Sequence, residues 1–145
     1  MVSRVIENIE KRFDKMTVQR GREHNFLGMR IRYNENETAT VTMKDYLKDA
    51  IEQSGLDIQG IASTPARRTL FEVDEKAEAL PTEKAERFQR SEVAKLLYVS
   101  TRARMDILLP VAFCACKYQC TVQDESTLRR ELEYVKGSLD LECIL

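Results

Sequence analysis

Apolar residues at Val2, Val5, Ile6, Ile9, Phe13 and Met16 recur at steps of three and four, the spacing that lines one face of a helix. The pattern predicts an amphipathic helix over residues 3–16, with Ser3 as its N-cap and an apolar stripe that must cover another surface. Past Gly21 the period shortens to two. Leu27, Met29, Ile31 and Tyr33 alternate with Gly28, Arg30 and Arg32, and Val41 and Met43 alternate with Thr40 and Thr42. Two strands, residues 25–33 and 38–43, are therefore expected to form a hairpin around the polar turn Asn34 to Glu37.

Helical spacing returns at Tyr46, Leu47, Ala50 and Ile51, and Gly55 stands where a C-terminal cap belongs. Residues 56–82 have no period and contain Gly60, Pro65 and Pro81 among many charges, which reads as an irregular excursion over the surface or a mobile connector. From Glu83 onward Phe88, Val93, Leu96, Leu97, Val111, Ala112, Ala115, Leu128, Leu132 and Val135 carry a helical pattern closed by Gly137. Three helices packed as a bundle over residues 83–140 are expected, with Asp106 and Asp124 as N-caps, Pro110 in a first turn and residues 141–145 as a tail. The fold class is α+β: a helix, hairpin and short helix over residues 1–55, a connector, then the bundle.

Composition narrows the picture. A chain of 145 residues that is 43% hydrophobic can bury a core without metal or disulfide. Its longest uncharged apolar run, Ile107 to Cys116, is far shorter than the roughly 20 residues that cross a bilayer, and no apolar leader core is seen at the N-terminus. Three of its four cysteines crowd into residues 114–120, unlike the spread framework of a secreted domain, so an intracellular protein is expected. The net charge of -1 favours no partner, but it is unevenly distributed. Residues 1–32 hold eight Lys/Arg against four Asp/Glu, and residues 33–90 hold eight against twelve. Any polyanion would most cheaply meet the basic first third, although a solvated face is the blander reading.

Little catalytic chemistry is legible. His24 is the one histidine, so a histidine-based metal site or catalytic pair has few partners to draw on. On a helix Cys114 and Cys116 point about 200° apart, which suits packed thiols better than zinc ligation. The expected strands carry no Asp or Glu with which to bind a pair of metal ions, and no phosphate-loop glycine pattern occurs. Arg102 and Arg104 beside Asp106 leave two readings open, recognition of an anion or an internal pair with Asp106 or Glu92.

Several blocks occur in a characteristic order: F-D-K-M-T-V-Q-R-G at Phe13 to Gly21, H-N-F-L-G-M-R-I-R at His24 to Arg32, and M-K-D-Y-L at Met43 to Leu47. V-A-K-L-L-Y at Val93 to Tyr98, S-T-R-A-R-M-D-I at Ser100 to Ile107, P-V-A-F at Pro110 to Phe113 and Y-V-K-G at Tyr134 to Gly137 follow. Together they resemble the reverse transcriptase of copia-type LTR retrotransposons, in the stretch after its catalytic motif. The resemblance implies a palm-edge hairpin that positions a primer end, followed by a helical thumb that holds an RNA/DNA or DNA template-primer duplex. It assigns nucleic-acid contacts to Arg20, Arg22, His24, Asn25, Phe26, Leu27, Gly28, Met29, Lys95, Arg102 and Arg104.

That family's paired aspartates, with their magnesium, lie upstream of the matched stretch and its ribonuclease H domain lies downstream. The resemblance therefore implies no catalytic residue, metal ligand or cofactor in this chain, and makes the rest of the polymerase polyprotein a partner. No membrane association is expected. The alternative reading is a helical module, adopted or relic, that acts in protein–protein interaction: an isolated copy would expose the stripe of residues 2–16 and self-associate through it or recruit a partner.

Overall fold

The computed structural model describes residues 2–145, apart from the side chains of Gln89 and Arg90. Helix α1 (Val2–Phe13) begins one residue earlier than its pattern indicates, so Ser3 lies inside the first turn and is not a cap. It stops at Phe13 because Asp14 turns to a left-handed φ of 74°. No residue of α1 is buried: Val2, Val5 and Phe13 all stand in solvent, so the stripe required to cover a surface covers none among the described residues.

The expected strand over residues 25–33 is instead two strands. Strand β1 (Glu23–Phe26) and strand β2 (Met29–Tyr33) pair antiparallel with Phe26 opposite Met29, and Leu27 and Gly28 form the turn between them. Both turn residues have positive φ, 49° and 79°, as a type I′ turn demands. Alternation could not show this break, because a two-residue turn leaves the period of two undisturbed on either side. Strand β3 (Ala39–Thr42) follows the predicted Asn34 to Glu37 turn. The presumed tail supplies strand β4 (Cys143–Ile144), which completes an antiparallel sheet in the order β1-β2-β3-β4. A two-residue strand is too short to show a period.

A leucine in the left-handed region costs about 1–2 kcal/mol, whereas Asn-Gly suits such a turn. Leu27 is 61% exposed, so little burial is at stake. Leu27→Asn should therefore raise stability by roughly 0.5–1 kcal/mol in chemical denaturation.

Helix α2 (Lys44–Gln53) ends as expected at Gly55, whose φ of 66° closes it. Residues 56–81 form no helix and only an isolated bridge, Ala79 to Thr121. This excursion is strapped down by one later helix, α6 (Val122–Gly137): Arg129 donates to the Asp57 carbonyl, Lys136 to that of Ile58 and Gln123 to that of Glu72.

The first bundle helix runs through α3 (Thr82–Arg87), a π-helical segment (Phe88–Val93) and α4 (Ala94–Ser100). Phe88 and Val93 are five residues apart, which on a regular helix would point them about 140° from each other. The wider π turn lets both face the core.

A short 3-10 turn (Met105–Ile107) leads into α5 (Leu108–Ala115), where Pro110 sits in the first turn as predicted, and then α6 follows. Neither expected aspartate is an N-cap. Asp106 lies within the 3-10 turn and holds Arg104, and Asp124 is the third residue of α6, returning a capping-box bond to the N-cap Thr121. Leu47, Leu96, Val99, Ile107, Val111, Leu128, Leu132 and Val135 form the core between sheet, α2 and bundle.

Candidate nucleic-acid interface

The β1–β2 turn is seated on the helices. The Tyr98 hydroxyl of α4 donates to the Leu27 carbonyl at 2.7 Å, and a Cβ at Gly28 would approach Tyr46 of α2 to 3.2 Å. Tyr46 and Tyr98 pack with ring centroids 5.4 Å apart, and the Arg102 guanidinium covers the Tyr98 ring at 3.7 Å. Burial first, and then Tyr98, raises the Tyr46 hydroxyl above its ordinary pKa, against a lowering by Arg102. Arg102 therefore stacks on the Tyr98 ring, whose hydroxyl holds the Leu27 carbonyl, while the Phe26 and Leu27 side chains stand in solvent.

The structure brings Asn25, Gly28 and Met29 to one side of this turn, where they border an open groove of about 430 Å³. His24 is held apart from them, its Nε2 3.0 Å from the Gly21 carbonyl and its ring edge-on to Tyr33. Arg20 donates to Ser3 Oγ of α1, and Arg22 pairs with Glu35 at 3.0 Å, both members of that pair being exposed. Lys95 reaches back to Gln53 and lies 3.7 Å from Glu92.

Arg104 requires a correction: it is 3% exposed and faces inward, so it does not belong to any surface that grips a duplex. Its Nε and Nη2 fork onto Asp106, and Nη1 and Nη2 donate to the carbonyl and hydroxyl of Ser138. Burial raises the Asp106 carboxyl, but hydrogen bonds from Arg104 and Tyr134 outweigh it, so the group titrates below the ordinary range. The internal-pair reading therefore holds for Arg104, with Asp106 as partner, while Arg102 stays on the surface.

The groove beside the turn is acidic. Asp45, Asp49, Asp140 and Glu142 line it against Arg30 and Lys44. Arg30 is bridged to Asp45, Arg32 to Glu142, and Lys44 to Asp140. Glu23 adds one acid to a strand expected to have none, yet no group of three metal-ligating side chains occurs among the described residues. Cys114 and Cys120 are buried, Cys143 is half-buried and Cys116 is exposed, and no disulfide joins them.

Tyr46 and Tyr98 were not among the predicted site residues. Their helical spacing reads as core, and only the turn they support gives them a second role. No helix among the described residues is long and apolar enough to cross a membrane. No protein-family model matches the chain, and comparison with curated proteins and with solved structures finds no match for it.

Proposed function

We propose that this chain is a non-catalytic part of a copia-type reverse transcriptase, the stretch that grips a template-primer duplex, acting inside the cell beside the rest of its polyprotein. The supporting observation is the hairpin turn fixed to the helices through Tyr98 and Leu27, because a turn anchored in this way presents backbone and side chains at a constant position. Phosphate contacts position a duplex without reading its bases, and arginines supply them well. The acidic groove repels a phosphate backbone, so this reading assigns the phosphate contacts to Arg20, Arg22 and Arg102, none of which lines it. The Arg22–Glu35 pair is exposed and so stabilises little, and a phosphate displaces Glu35 at small cost.

Binding of a primer-template duplex should then weaken with salt at a log-log slope of about 3, near 0.9 per phosphate, and Arg22→Gln should lower that slope by about one. Tyr98→Phe should weaken binding while leaving the far-UV spectrum unchanged. Negligible binding at low salt would count against the reading.

A second reading, protein–protein interaction, is favoured by the open stripe of Val2, Val5 and Phe13 on α1. Light scattering during the same titration separates the two, since this reading expects the mass to grow before any duplex is added.

A further inference from the structure

On the connector-facing side of α6, Ser126, Thr127 and Arg130 meet Arg67 and Thr69 around a cavity of about 60 Å³, room for a single small ion. Arg130 spends one Nη2 bond on Thr64 Oγ1 at 2.9 Å, while its Nε is buried with no hydrogen-bond partner. A buried guanidinium N–H left unpaired is costly, and the arginine that carries it also lines this polar cavity.

Neither Arg67 nor Arg130 has a salt-bridge partner among the described residues, whereas Arg22, Arg30, Arg32, Arg104 and Arg129 each lie against a carboxylate. The one acid in the lining, Asp124, is already engaged: its Oδ2 accepts from the Thr121 N–H and hydroxyl, and its Oδ1 faces Lys117 at 3.4 Å. Two arginines thus line one small space together with Thr69, Ser126 and Thr127, and its lining holds no uncompensated negative charge.

The geometry points to a site for one tetrahedral oxyanion: inorganic phosphate, or the terminal phosphate of a small phosphomonoester. Guanidinium forks match phosphate oxygens in pairs, and Thr69 and Ser126 hydroxyls suit the oxygens that remain. The site is independent of the duplex reading, because it lies on the connector side of α6 and shares no residue with the hairpin turn.

Calorimetric titration of the whole chain with sodium phosphate, at an ionic strength held constant with chloride, tests it. One saturable site is expected, weakened about tenfold or more in both Arg67→Gln and Arg130→Gln. Arg67 is exposed, so its variant folds whether or not Arg130→Gln does. A parallel titration with phenyl phosphate separates the two sources: equal affinity identifies an ester-accepting site, and loss of affinity identifies one for the free ion. Heats indistinguishable from chloride, or an Arg67→Gln protein that binds as tightly as the parent, would overturn the assignment.

Discussion

Replacing Glu131 by glutamine is expected to flatten the dependence of stability on pH. Glu131 lies on α6 with no solvent exposure, the Cys114 thiol donates to its Oε1 at 3.7 Å, and its Oε2 has no hydrogen-bond partner. Burial pushes its carboxyl from 4.5 to about 8, against a lowering by the Cys114 contact. Burial first, and then the nearby Glu131 and Asp124 charges, likewise raise the Cys114 thiol.

The folded protein therefore keeps a proton that the unfolded chain releases. This contribution to stability is fully present below about pH 4.5, is lost progressively as pH rises, and levels off above about 8. Over that window the parent should lose roughly 3–5 kcal/mol. Glu131→Gln cannot ionise. It should be less stable by about 1 kcal/mol at pH 5, where its amide lacks partners, and more stable than the parent at pH 9. Urea denaturation at the two pH values measures both, and parallel pH profiles for the two proteins would refute the account.

Removal of the Arg104 side chain should cost about 2–4 kcal/mol, below the usual toll of a broken buried pair because Asp106 is 34% exposed. Arginine here closes three contacts at once: the carboxylate of Asp106, the Ser138 carbonyl and the Ser138 hydroxyl, tying the α4–α5 junction to the end of α6. Lysine keeps the charge but lacks the fork, so Arg104→Lys should recover less than half of the loss. In Arg104→Ala the Asp106 charge is left behind, and adding Asp106→Asn should destabilise less than the sum of the single changes. Denaturation midpoints measure these differences; strict additivity would place the two side chains in separate networks.

The duplex-gripping reading and the oxyanion cavity occupy different parts of this frame. The first depends on the anchored turn at Leu27 and Gly28, and the second on the connector held against α6. Arg67→Gln should therefore leave the salt slope of duplex binding unchanged, and Arg22→Gln should leave phosphate binding unchanged.

Local rules were enough to place α1, α2, the bundle helices and the Asn34 to Glu37 turn, because each buries or exposes a face whose period is written in consecutive residues. The same rules find no apolar run long enough to cross a bilayer as a helix, and leave a histidine-based metal site few partners to draw on. They are silent where partners are distant in the chain. Leu27 and Gly28 read as strand until Tyr46 and Tyr98 are placed beneath them, and Cys143–Ile144 reads as tail until β3 offers an open edge. Arg102 and Arg104 are two residues apart and chemically identical, yet one covers a ring at the surface and the other is buried on Asp106 and Ser138. Their difference comes from which neighbours the packed helices bring, a long-range outcome that no local spacing encodes. For the same reason Arg67 and Arg130, far apart in sequence and part of no motif, share a cavity only because α6 holds the connector in place.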